Sequence, residues 1–206
     1  ASMAAASDAF ASSAFDAEPG NVQGYELLYR LHLREGDRDA ARALVDRGVA
    51  AAPSDDGMKV MKADLLLGEG AEEEALVIYE DILTRRPRDQ LVANNYASLM
   101  TKLRDDADSR RKAAEAARVL ENADNGFFQD TLGWALVLNG EVERGVEFLE
   151  KAVEATPNLA EARYHLGAAL IRNGDIERGK SELREAIERG GDNASFAADA
   201  RSLLEQ

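Results

Sequence analysis

The chain has no cysteine, four prolines, one tryptophan and two histidines in 206 residues, and each scarcity removes a class of answer. Without cysteine there is no disulfide framework, no thiolate zinc site and no cysteine nucleophile. No apolar run approaches the roughly 20 residues that span a bilayer as a helix. Basic residues are short as well: 25 against 39 acids, a formal charge of −14. Nucleic acid and anionic membrane both need a basic face, so neither is expected as the main partner. Ala1 to Ala14 lacks the basic start and long apolar stretch of a secretory signal. The length suits one domain or two small ones, with enough chain to bury a sizeable core.

The few prolines that are present stand in order. Pro19, Pro53 and Pro87 are each 34 residues apart, and Pro157 follows Pro87 by 70, two periods plus two. Glycines keep the same count: Gly36 to Gly70 is 34, Gly70 to Gly140 is 70, and Gly140 to Gly174 is 34. Two residue types thus report one period with a single two-residue insertion, and a period of this size signals a repeat architecture. Five full units follow, 22–55, 56–89, 90–125, 126–159 and 160–193.

Within a unit, apolar residues recur at three and four in two stretches split by a glycine. Leu132, Leu136 and Val137 mark one helix, and Val146, Leu149 and Val153 the next. Asn139-Gly140 reads as a helix stop, because glycine reaches the left-handed conformation cheaply. The proline near each unit's end cannot continue the second helix.

The small and apolar positions resemble the tetratricopeptide (TPR) pattern, a 34-residue helix–turn–helix unit. The eighth position holds Tyr29, Ala63, Ala97, Gly133 and Gly167; the twentieth holds Ala41, Ala75, Ala113, Gly145 and Gly179. The resemblance implies an all-α fold: an α-solenoid of five units with an extra helix at each end, wound as a right-handed superhelix. The third unit departs from the pattern, with no proline and a charged connection from Leu103 to Asp108, so its helices are expected to be spaced differently. Tyr29 at a small position predicts a looser first unit. Residues 4–18 read as the second helix of a truncated preceding unit, and 193–205 as a helix that caps the last apolar face and closes the chain naturally. An unpartnered helix 4–18 would tend to self-associate.

Catalytic motifs are missing: there is no G-x-S-x-G, no phosphate-binding G-x-x-x-x-G-K and no dinucleotide G-x-G-x-x-G. His32 sits where other units carry leucine or methionine, which predicts a core histidine instead of a ligand or base. No cofactor, metal or enzymatic activity is expected. The resemblance implies instead that the first helices line a groove through positions 2, 5, 6, 9, 12 and 13. That gives Arg30 and Arg34, then Asp64, then Asn94, Asn95, Ser98 and Lys102, then Phe127, Asp130 and Trp134, then Tyr164, His165 and Arg172. Rigid rings beside side-chain amides suit a bound peptide. Trp134 is open to a second reading, packing between neighbouring first helices. Across those positions Arg30, Arg34, Lys102 and Arg172 balance Glu26, Asp64, Asp130 and Glu161, so a neutral groove is expected. The TPR clamp that grips a chaperone's terminal carboxylate resembles a lysine and an asparagine where this chain has Glu26 and Arg30, so that activity does not carry over.

The order of Asn94-Asn95-Tyr96-Ala97-Ser98-Leu99, Asp130 to Trp134 and Tyr164 to Gly167 resembles the C-terminal repeats of bacterial TPR lipoproteins. Those accompany exopolysaccharide export and the PEP-CTERM (exosortase) system. This resemblance implies a non-catalytic scaffold for a protein or peptide, in the periplasm or anchored at the outer membrane. The alternatives are a cytoplasmic location, a module that contacts polysaccharide, and the regulatory array of a larger enzyme.

Overall fold

A computed structural model describes residues 21–206; the expected helix at 4–18, and self-association through it, lie outside the described residues. Every regular element there is helical, with no strand among the described residues. The chain divides at Arg85 and Arg86 into two compact units. The first holds α1 (Val22–Glu35), α2 (Arg38–Ala51), α3 (Asp56–Gly68) and α4 (Glu72–Arg85). The second holds α5 (Gln90–Leu103), α6 (Ala107–Ala117), a short 3-10 turn (Arg118–Leu120), α7 (Gly126–Leu138), α8 (Val142–Ala155), α9 (Ala160–Arg172), α10 (Ile176–Gly190) and α11 (Ala197–Leu204).

The helix corners follow from the glycines. Gly36, Gly70, Gly140 and Gly174 all have positive φ, between 78° and 92°. At each, one residue past the helix folds its N–H back onto a carbonyl of the last turn. Glu141 donates to the Leu136 oxygen at 2.9 Å, and Asp175 to that of Leu170 at 2.9 Å. Otherwise orphaned carbonyls are thereby satisfied and the next helix starts at once. Aspartates cap several starts: Asp37, Asp55, Asp89 and Asp175 each accept from a backbone N–H in the first turn of the following helix.

Helix spacing depends on the small positions. A Cβ placed on Gly133 would stand 2.9 Å from the Gly145 oxygen, and one on Gly145 would stand 2.7 Å from the Gly133 oxygen. Gly167 and Gly179 repeat the geometry at 2.9 and 2.8 Å. In these two pairs, α7 on α8 and α9 on α10, the backbones touch. Elsewhere the same positions carry Ala97 with Ala113, or Tyr29 with Ala41, all buried, and those side chains occupy space between the helices. In the first unit the core gathers Tyr25, Leu28, Tyr29, Leu44, Val45, Met58, Met61 and Leu65. His32 is buried among its neighbours, 2 % exposed.

The irregular third helix pair has its own devices. Arg104 to Asp106 replace the glycine corner, and Asp106 caps α6 by accepting from the Ser109 N–H at 3.0 Å. Past the short turn, buried Gln129 donates to the Leu120 and Ala123 carbonyls at 3.4 and 2.6 Å, tying down a loop that no proline defines. At the end of the chain the final helix starts at Ala197, four residues later than the expected 193–205. Gly191, at φ 74°, turns the chain first, and Ala194 N–H returns to its carbonyl at 3.3 Å. Once formed, α11 closes the apolar end of α10: Phe196, Ala200, Leu203 and Leu204 pack with Leu183 and Ala186.

Candidate functional site

Three first helices of the second unit present the same kind of face. Residues three and four apart project together from a helix, which groups Ser98, Thr101 and Lys102 on α5, Asp130 and Trp134 on α7, and Glu161, Tyr164 and His165 on α9. All of these, with Thr131, line one cavity of about 560 Å³. Its far wall comes from Ser195, Phe196 and Asp199, at and just before α11.

Rings form the floor. His165 stacks on Trp134 with centroids 4.5 Å apart and planes 16° from parallel. Tyr164 stacks on Phe196 at 5.1 Å and 15°, and the Trp134 and Tyr164 rings stand 6.1 Å apart at 54°. Such contacts add roughly 0.5–1.5 kcal/mol each beyond burial, so the floor is stiff before any ligand arrives. One oxygen of Asp130 lies 2.9 Å from His165 Nδ1, with both side chains 12 % exposed. Against a carboxylate, Nδ1 of the neutral ring carries the proton, so Nε2 is the acceptor. Trp134 both packs and lines the cavity: it sits against the cluster of Val137, Val146, Leu149, Leu166 and Leu170 while another part of its surface faces the opening. The Arg172 guanidinium stands 5.3 Å from its ring centroid.

Electrostatically the cavity is not the neutral surface expected of the whole groove. Its lining sets Lys102 against three carboxylates, Asp130, Glu161 and Asp199. Glu26, Arg30, Arg34 and Asp64 all sit in the other compact unit and cancel, so the difference comes from Arg172, which lies outside the lining, and Asp199, which joins it. Burial raises the Tyr164 hydroxyl pKa first, and the carboxylates of Asp199 and Glu161 raise it further against the opposing pull of Arg172. Among the described residues no group of three or more metal-ligating side chains could hold an ion, and no helix is long and apolar enough to cross a membrane.

The family model of the tetratricopeptide repeat matches residues 130–159 and 160–189, the stretch that carries half of the residues lining this cavity. Residues 130–189 carry two tetratricopeptide repeats. Among solved structures it is similar to YrrB, described as a TPR protein with an unusual peptide-binding site, at 16% identity and a TM-score of 0.67 over 93% of this chain and 97% of that one. A MamA fragment from Desulfovibrio magneticus matches at 18% identity and TM-score 0.64, covering 84% of this chain and 97% of that one. A thermophilic TPR protein of Thermus thermophilus matches at 20% and 0.61, covering 90% and 100%. Identities this low speak for the fold. No curated protein matches the sequence.

The remaining candidates in these repeats stand off the cavity. Phe127 is 57% exposed at the start of α7 and does not line it. Asn94 donates from Nδ2 to the Asn95 side chain at 3.1 Å, one turn up α5 from the lining. In the first unit Arg30 is exposed and paired with Glu26, and Arg34 is exposed. Asp64 accepts from the Tyr79 hydroxyl at 3.2 Å; burial raises its pKa and that hydrogen bond lowers it. Ser195, Phe196 and Asp199 are the members that sequence reasoning missed, having assigned that segment to capping alone.

Proposed function

We propose that the chain is a non-catalytic scaffold that holds an extended peptide or a protein segment in the cavity formed by α5, α7, α9 and the start of α11. One observation carries the reading: a stiff aromatic floor, ringed by Ser98, Thr101, Thr131, Lys102 and the His165–Asp130 pair, open over about 560 Å³. Ring area supplies affinity at little entropic cost, and the surrounding hydroxyls and Nε2 can meet backbone donors and acceptors. Repeats of this kind are interaction scaffolds by fold, and YrrB is described as having a peptide-binding site.

The test is selection from a random dodecapeptide phage library on the whole chain, followed by anisotropy of a labelled winner. Trp134→Phe should keep most of the affinity and Trp134→Ala should lose about 30-fold, the loss expected of a hot-spot ring worth ~2 kcal/mol. Equal binding by a folded Trp134→Ala variant rejects the site. The finer placement, in a bacterial envelope or exopolysaccharide-export assembly, rests on the order of the three sequence motifs. Fractionation of cells bearing the full gene tests it, and recovery from the cytosol rejects it.

A further inference from the structure

At the α11 end of the cavity, two carboxylates flank a stacked ring pair. Glu161 opens α9 and Asp199 lies in the first turn of α11; both are exposed and both line the cavity beside Tyr164 and Phe196. Neither forms an ion pair among the described residues. The nearby arginines are engaged elsewhere: Arg163 is held by Glu182, Arg178 by Glu150, Arg189 by Glu185 and Arg201 by Asp192. The third acid of the lining, Asp130, is already engaged by His165. Two free negative charges therefore face the cavity next to ring faces, while the one lysine stands on α5, at the opposite wall.

We propose that the Tyr164–Phe196 stack with Glu161 and Asp199 is a specificity subsite for a basic side chain of the bound peptide, arginine before lysine. The inference rests on the scaffold reading given above. Charge complementarity selects the sign, since an acidic residue there would meet two like charges. The rings select the shape. A planar guanidinium can lie along Tyr164, which Phe196 backs from behind, and gain cation–π attraction while its edges reach the carboxylates. The field of the two acids is already felt at the Tyr164 hydroxyl, whose pKa burial and these carboxylates raise against the opposing pull of Arg172. A neutral apolar residue would leave both acids unmatched and gain nothing from them.

The same library decides it. Winners on the parent chain should share one position rich in arginine or lysine. Against such a winner, the Glu161→Gln/Asp199→Asn variant should lose affinity about five- to tenfold, as expected for two exposed charges plus a cation–π contact. Citrulline in place of the basic residue should cost the same, and the two losses should not add, because they remove one interaction. Glu143→Gln/Glu177→Gln removes as much charge from second-helix positions outside the cavity and should change affinity less than twofold. Winners with no shared basic position, or losses that add fully, overturn the subsite while leaving the scaffold standing. A selection that yields no saturable binder overturns both.

Discussion

Gly133→Ala is the substitution that separates backbone packing from helix propensity. Alanine in a helix interior is favoured over glycine by roughly 0.5–1 kcal/mol, so propensity alone predicts a more stable protein. The packing says otherwise. The new methyl would stand 2.7 Å from Leu149 Cγ, 2.9 Å from the Gly145 oxygen and 3.0 Å from the Leu149 nitrogen. Two of these are backbone atoms of the facing helix, so no rotamer change relieves the contact, and α7 and α8 have to part along their length. Overpacking of this kind costs about 1–3 kcal/mol, and the lack of a yielding side chain puts this case in the upper half of that range. The net expectation is a loss of about 1–2 kcal/mol. Two further glycines bracket it. Gly68 ends α3 with nothing within 4 Å of an added Cβ, so Gly68→Ala should be neutral or stabilising by a few tenths of a kcal/mol. Gly140 also has free space, but at φ 92°, so Gly140→Ala should lose roughly 1–2 kcal/mol through backbone strain alone. Urea unfolding followed by circular dichroism ranks the three. A Gly133→Ala variant as stable as the parent would refute the claim that this helix pair is held at backbone contact.

Asn125 accepts from the Phe127 and Phe128 N–H groups at 2.9 and 3.4 Å, so Asn125→Ala should cost about 1 kcal/mol in the same assay, and no loss would show the cap to be idle. Asp64 is pushed up chiefly by burial, so the folded state holds its proton more tightly than the unfolded chain does. The destabilisation this brings is absent where both states are protonated and complete above the folded pKa. Asp64→Asn should thus be neutral to slightly stabilising at pH 7, with the advantage vanishing below the ordinary carboxylate range; the reverse trend in a pH series of melting curves would contradict the assignment. His165 covers one face of the only tryptophan. His165→Ala should move Trp134 emission to the red as water reaches the indole, and an unmoved spectrum would count against the stack.

The period is legible in the sequence because its markers are residues with few conformational substitutes. Gly36, Gly70, Gly140 and Gly174 stand at positive φ where an L side chain would be strained, so their spacing is the spacing of the corners. Gly133 with Gly145, and Gly167 with Gly179, are legible for a different reason, since any Cβ there strikes a carbonyl. The third helix pair is legible only as a departure. Asp106 caps the next helix through Ser109, only three residues on, but Asp105 and Asp108 beside it offer the same chemistry, and Gln129 reaches the Leu120 and Ala123 carbonyls only once the turn has folded.

The site is half legible, and the missing half has a geometric cause. The repeat pattern assigns the same groove positions to every unit, as if a ligand ran parallel to a row of identical helices. The cavity instead crosses them obliquely. It uses positions 9, 12 and 13 of the repeat on α5 (Ser98, Thr101, Lys102) but 5, 6 and 9 on α7 (Asp130, Thr131, Trp134), about one turn nearer the helix start. On α9 it uses 2, 5 and 6 (Glu161, Tyr164, His165). Phe127 at position 2 of α7, Asn94 at position 5 of α5 and Arg172 at position 13 of α9 fall off that diagonal, which is why they share a face with the site but not its cavity. Carried one period further, the same rule reaches Ser195 and Asp199, each 34 residues beyond Glu161 and His165. The final helix is therefore more than a lid on the apolar end of α10. By sequence register it begins a sixth first helix, and with Asp199 it supplies the third carboxylate of the lining.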